Sequence, residues 1–245
     1  MAKFRKIHIF QTEDYVSYFA AQLWFEIAQE AVSERGIFTV ALSGGSTPVE
    51  FYRKLSMEKD RFPWDKTHVF LVDERFVPFD KEDSNYGMIR KNLLEPAGIK
   101  VDNVHFLREW DEDIELSADK YEGIMKGFFG SKGSDFPRFD LIVLGVGEDG
   151  HVASLFPGDP ALAEDKKLAV SVKNDSARHE RISITFPVIN SARYIVFLAT
   201  GAKKAKVMKE VLEEENPDLP ATRVDLPDGK VFVLLDNNSG ALLNI

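Results

Sequence analysis

The chain contains no cysteine. Disulfide bridges, thiolate metal sites and a cysteine nucleophile are therefore all excluded. It also has no long apolar run. Stretches such as Tyr194 to Ala199 are strand-sized, far short of the roughly 20 residues that a membrane helix needs. The amino terminus, MAKFRKIHIF, carries basic residues, but its apolar run is too short for a signal peptide. The cytoplasm is the expected location. Positive charge is in deficit, with 31 Lys and Arg against 40 Asp and Glu and a formal net charge of −9. Such an excess repels a nucleic-acid backbone and an anionic membrane, so neither is an expected partner. A local basic pocket for a small anion is still compatible with it.

What is present is ordinary for a globular enzyme: 245 residues, 44% hydrophobic and 29% charged. No internal repeat or low-complexity tract divides them. The Gly- and Ser-containing stretch from Gly130 to Asp135 reads as a loop, because the apolar pattern resumes on both sides. One α/β domain over 1–245 is the expectation, and no pattern specifies an oligomeric state.

Hydrophobic periodicity alternates between strand and helix. Lys6 to Phe10, Phe38 to Leu42, His68 to Val72, Asn103 to Leu107, Leu141 to Gly145, Ile182 to Phe186, Tyr194 to Ala199 and Val231 to Leu235 read as strands. Asp14 to Arg35 places Val16, Phe19, Ala20, Leu23 and Ile27 at helical spacing, and Gly36 fits the stop. A second helix starts after Thr47, read as its cap, with Pro48 in the first turn. Further helices are predicted from near Ser84 to Leu94, from Leu116 to Phe129 and from Ala202 to Glu215. The alternation predicts an α/β fold, a mostly parallel sheet with helices on both faces. Ligands bind such sheets at the carboxyl ends of the strands, and the unusual residues of this chain cluster there.

The first cluster is Ser43-Gly44-Gly45-Ser46-Thr47-Pro48, between a strand and a helix. Its glycines, hydroxyls and helix start suit a phosphate cradle, and they equally suit a capped turn. No Lys follows at Walker spacing. The second is Asp73-Glu74-Arg75, which is either a solvated loop or a place where Asp73 or Arg75 overlies a substrate. Downstream, Ser84-Asn85 reads as a helix cap rather than a ligand site.

The third, Gly145-Val146-Gly147-Glu148-Asp149-Gly150-His151, satisfies G-x-G-x-x-G. It neither opens the first βαβ unit nor precedes a helical pattern, which argues against a dinucleotide. A His two residues after an Asp in a glycine turn suits general base catalysis, although a lone histidine is more often structural. Lastly, Arg181 and Lys204 stand beside strands, where each is a phosphate ligand or a surface residue. The five histidines, His8, His68, His105, His151 and His179, show no zinc-ligand spacing, and Ser154 lacks the glycines of a nucleophile elbow. Neither a metal nor a serine nucleophile is expected.

Taken in order, these segments resemble the 6-phosphogluconolactonase family. The likeness runs through Ser43 to Pro48, Asp73 to Arg75, Ser84-Asn85, Gly145 to Gly158, Arg181 to Thr185 and Thr200 to Ala205. Its most specific part is Gly-Glu-Asp-Gly-His-Val-Ala-Ser-Leu-Phe-Pro-Gly. The resemblance implies a Rossmann-like α/β fold and hydrolysis of 6-phosphoglucono-δ-lactone to 6-phosphogluconate in the pentose phosphate pathway, without a cofactor. By the same resemblance His151 would activate water and Asp149 would orient it. Gly44, Gly45, Ser46, Arg181 and Lys204 would hold the phosphate, and Arg75, next to Asp73, would sit near the lactone.

The same superfamily contains glucosamine-6-phosphate deaminases. Their motif continues from Asp-Gly-His to Asn-Glu-Pro, where this chain has Leu155-Phe156-Pro157, and they usually carry Tyr where this chain has Arg75. Both departures favour the lactonase. Ile184 is a minor departure from the usual lactonase strand. A non-catalytic sugar-phosphate sensor would lack a reason to keep His151 together with the phosphate residues.

Overall fold

The computed structural model describes residues 5–107, 109–130, 135–174 and 178–244. Six strands form one parallel sheet: β1 (Arg5–Phe10), β2 (Phe38–Leu42), β3 (Thr67–Leu71), β5 (Leu141–Gly145), β8 (Tyr194–Ala199) and β9 (Lys230–Asp236), in the order β1-β9-β8-β5-β2-β3. The remaining three, β4 (Asp73–Arg75), β6 (Ala169–Val172) and β7 (Arg181–Ile184), make a small antiparallel sheet in the order β4-β7-β6. The central strands of the large sheet are buried almost throughout because helices cover both of their faces. Phe38 of β2 packs on Trp24 of α1 (Glu13–Arg35), whose ring also meets Phe51 of α2 (Pro48–Met57). Phe70 of β3 pairs in register with Ala41, so it points to the opposite face, against Phe128 and Phe129 of α5 (Ile114–Phe129).

The order of the sheet creates a switch point. From β2 the chain moves outward to β3, and from β5 it proceeds the other way to β8 and β9. The crossovers after β2 and β5 therefore diverge and open a crevice at their carboxyl ends.

Several expectations from periodicity need correcting. Asn103 to Leu107 is not a strand; it pairs with β3 only through an isolated bridge between Val104 and Val69, and His105 packs on His68 and Phe70 of that strand. The run expected from Ile182 to Phe186 ends as a strand at Ile184, lies in the small sheet, and gives way to α6 (Phe186–Asn190), with Pro187 in its first turn. Asp73 to Arg75, read as the end of a strand or a loop, is itself a strand. The last helix is α7 (Ala205–Leu212), preceded by a 3₁₀ turn at Ala202–Lys204. The segment from Asn85 begins as α3 (Asn85–Ile89), widens into π turns over Arg90–Leu94 and closes as α4 (Glu95–Ala97).

At the opposite end of the sheet, the buried Asp140 joins β2, β5 and α1. Its carboxylate accepts hydrogen bonds from Thr39 N and Oγ1 at 2.8 and 2.9 Å and from Arg35 Nε at 2.9 Å, with Arg193 Nε at 3.4 Å. Asp140→Ala leaves the buried Thr39 N–H without its acceptor, and Arg35 and Arg193 without the carboxylate they share. It should lower the unfolding free energy by about 3 kcal/mol, read from urea denaturation, while KM of the folded enzyme stays unchanged.

Candidate active site

The loop after β2 is fixed at its root. Ser43 donates its hydroxyl to Val143 O of β5 at 2.8 Å, and the buried Tyr52 of α2 donates to Ser43 O at 2.7 Å. Gly45 then takes φ +91°, a left-handed conformation that favours glycine. Gly44 has no room for a side chain, since a Cβ would stand 1.7 Å from Asn85 Oδ1. Thr47 does not cap α2 as expected. Its backbone is already helical (φ −56°, ψ −46°) and its side chain makes no capping bond, so the reading of a merely capped turn loses its main support.

The loop after β5 turns back on itself, with Gly147 N donating to His151 O at 2.8 Å. This brings His151 Nδ1 to 2.6 Å from Asp149 Oδ1, while the His151 main-chain N–H donates to the same oxygen at 3.2 Å. Burial pushes the Asp149 carboxyl up, but the hydrogen bonds and charge of His151 outweigh it and hold the group at about 2. An ionised Asp149 fixes the tautomer with the proton on Nδ1 and leaves Nε2 as a base. Phe156 packs on the imidazole with ring centroids 4.6 Å apart. No helix follows the glycines. Residues 152–159 are built from turns and a bridge, so the main requirement for a dinucleotide pyrophosphate is missing.

The small sheet supplies the third wall. Arg75 of β4 and Arg181 of β7 are direct partners across the antiparallel pair, and the Nε of each is buried without a hydrogen-bond partner. Asp73 lies 3.9 Å from Arg181 Nη1, and Asp73 Oδ2 accepts a 2.7 Å hydrogen bond from Ser154 Oγ. Burial lowers the pKa of Arg181 and so does the neighbouring Arg75, against the pull of Asp73. Two cations side by side with open donors form a site for an anion.

The fourth wall is the turn after β8. Asp236 at the end of β9 accepts from Gly201 N at 3.0 Å and so fixes the turn that presents Lys204. Burial lowers the pKa of Lys204, opposed by Glu148 and Asp149.

All nine residues singled out from the sequence lie at one place. Gly44, Gly45, Ser46, Asp73, Arg75, His151, Arg181 and Lys204 line a cavity of about 440 Å³, and Asp149 stands directly behind His151. Asn85, set aside as part of a cap, lines it too. Ser84 does cap α3, accepting from Gly87 N at 3.0 Å. Sequence reasoning missed Glu74. Its buried carboxylate accepts from Arg75 N, Asn85 N, Tyr86 N and Ser84 Oγ at 2.7 to 2.9 Å, and burial raises its pKa to about 7. It pins α3 to β4, and nothing distinguished it from a solvated charge in the sequence. Among the described residues no group of three or more His, Asp or Glu side chains could hold a metal ion.

The loop after β5 tolerates no side chain at Gly147, where a Cβ would lie 2.1 Å from His151 Nδ1 and 2.3 Å from Asp149 Oδ1. Gly147→Ala should fold and should keep its far-ultraviolet circular dichroism. Its turnover should fall by about 10²-fold or more, because displacement of a base by even 1 Å can cost that much.

The family described as glucosamine-6-phosphate isomerases/6-phosphogluconolactonase matches residues 11–233. The chain is 41% identical over 212 residues to a 6-phosphogluconolactonase of Synechocystis, covering 86% of this chain and 87% of that protein. It is 39% identical over 217 residues to a 6-phosphogluconolactonase of Nostoc, covering 88% of each. The crystal structure of 6-phosphogluconolactonase from Thermotoga maritima superposes with a TM-score of 0.81 at 31% identity, over 94% of this chain and 99% of that one. With its cavity at the β2/β5 switch point and these relatives, the chain belongs to the glucosamine-6-phosphate isomerase/6-phosphogluconolactonase family.

Proposed function

We propose that this chain is a 6-phosphogluconolactonase, hydrolysing 6-phosphoglucono-δ-lactone to 6-phosphogluconate in the pentose phosphate pathway. The observation that carries the reading is a His–Asp dyad sharing one cavity with two opposed guanidinium groups. His151 Nε2 takes a proton from water as the water oxygen attacks the lactone carbonyl. Asp149, ionised and bonded to Nδ1, stabilises the imidazolium that forms. Arg75 supports the oxyanion of the tetrahedral intermediate. Collapse breaks the bond between the carbonyl carbon and the ring oxygen, and the imidazolium returns its proton to that oxygen. Arg181, held by Asp73, and Lys204 grip the phosphate together with the main chain of Gly44, Gly45 and Ser46.

A deaminase needs a further proton-transfer group near the histidine. Here the face of His151 is covered by Phe156, which can neither give nor take a proton. Fresh lactone mixed with the protein should release acid faster than spontaneous hydrolysis, whereas glucosamine 6-phosphate should yield no ammonia. The reverse pattern would overturn the assignment. The cytoplasmic location is part of the same proposal; no helix among the described residues is long and apolar enough to cross a membrane.

Two substitutions separate chemistry from grip. His151→Ala should lower kcat by roughly 10²–10⁴-fold with little change in KM. The wild-type rate should also fall on the acid side, because a protonated imidazole cannot accept a proton. Asp149, with its carboxyl at about 2, stays ionised across that limb. The variant's pH profile should lack it. Arg181→Ala should instead raise KM about tenfold or more, since it removes a charge-assisted hydrogen bond worth about 1.5–3 kcal/mol. Unchanged steady-state constants in either variant would remove that residue from its role.

A further inference from the structure

Outside the cavity a second histidine–aspartate pair lies behind Arg75. His179, two residues before Arg181, brings its Nε2 to 2.9 Å from Asp83 Oδ2, and Arg178 Nη1 is 3.1 Å from the same oxygen. Asp83 belongs to the loop between β4 and α3. Its main-chain carbonyl accepts a 2.7 Å hydrogen bond from Arg75 Nη1. Among the described residues this is the only hydrogen bond that the Arg75 guanidinium makes, since its Nε has no partner. The guanidinium also faces a like charge, Arg181, across the strand pair. Without a tether, repulsion would favour other rotamers for so long a side chain.

The carbonyl that provides the tether sits in the peptide joining Asp83 to Ser84. On the Ser84 side that peptide is anchored by Glu74, through Ser84 Oγ at 2.9 Å and Asn85 N at 2.7 Å. On the Asp83 side the anchor is the Asp83 side chain, held by His179. The two segments are brought within reach by the main-chain bond from Phe76 N to Glu180 O at 2.8 Å, which extends the β4–β7 ladder. The hydrogen bond from His179 is the chief cause holding the Asp83 carboxyl below its ordinary range, with Arg178 and Arg75 adding to it against some burial. His179 is not among the residues that line the cavity.

We propose that His179 is a positioning residue: by clasping Asp83 it holds the Asp83 carbonyl against Arg75 and so aims the Arg75 guanidinium at the reacting end of the sugar. This rests on the lactonase reading, in which Arg75 meets the lactone carbonyl and, after hydrolysis, the new carboxylate of 6-phosphogluconate.

The test is a double-mutant cycle, read by lactone turnover and by calorimetric affinity for 6-phosphogluconate. His179→Ala should lower kcat/KM roughly three- to tenfold, as expected for loss of one orienting hydrogen bond, with kcat taking most of the loss. Affinity for 6-phosphogluconate should weaken by a similar factor. His179→Gln, whose amide can donate to Asp83, should recover most of both. In an Arg75→Ala background, removing His179 should change neither quantity further. Wild-type behaviour of His179→Ala overturns the proposal, as does an equal fractional loss with and without Arg75, or a failure of Gln to do better than Ala. A wild-type enzyme inactive on lactone would refute the functional reading alone, because coupling in 6-phosphogluconate binding remains measurable.

Discussion

The parallel pairing of β2 with β5 is the constraint on which the rest of the site depends. The two strands lie side by side, yet the chain leaves their carboxyl ends toward opposite edges of the sheet. Peptide groups at those ends must separate, which opens a crevice walled by main chain as much as by side chains. The Ser43 hydroxyl ties the end of β2 to β5 at that point, and the Tyr52 hydroxyl ties the same residue to α2. A loop that turns through Gly44 and Gly45 forms one wall and the loop carrying the His–Asp dyad forms the other.

Charge is distributed against the average of the molecule. A chain of net charge −9 concentrates Arg75, Arg181 and Lys204 around one cavity. Opposed arginines on neighbouring strands destabilise a sheet, and their unpaired Nε groups add a desolvation cost. A bound phosphate and a developing oxyanion would relieve both. Such local instability is common where a site is shaped for its ligand rather than for its empty state. The surrounding structure keeps it small: Asp73 balances Arg181, and Glu74 locks β4 to α3 from beneath.

The antiparallel sheet explains why the cations belong together. Arg75 and Arg181 are separated by more than 100 residues of chain, and only the β4–β7 register makes them neighbours. Ser154 and Ser183 extend the same junction, with Ser154 N donating to Ser183 Oγ at 3.1 Å and Ser154 Oγ donating to Asp73. Ser154, which the sequence excludes as a nucleophile, thus links the loop that follows His151 to the strand that carries Arg75.

The sequence by itself determined the large sheet, because largely apolar runs such as Phe38 to Leu42 and Tyr194 to Ala199 alternate with amphipathic helices, and such strands are buried on both faces in a helix-covered parallel sheet. It also determined the local chemistry of the glycine turns, where Asp149 and His151 are close enough along the chain to meet without help. The short strands were less legible. Asp73 to Arg75 is three charged residues and reads as solvated loop, since the hydrogen bonds that make it a strand come from β7, far along the chain. Glu74 and Asn85 looked like surface and cap for the same reason: burial is a property of what folds over a residue, and a short polar segment carries no trace of it. The family resemblance implied that Arg75, Arg181 and Lys204 serve one substrate; tertiary structure alone decided what holds each of them in place, because side-chain placement of that kind depends on register between segments that periodicity treats as independent.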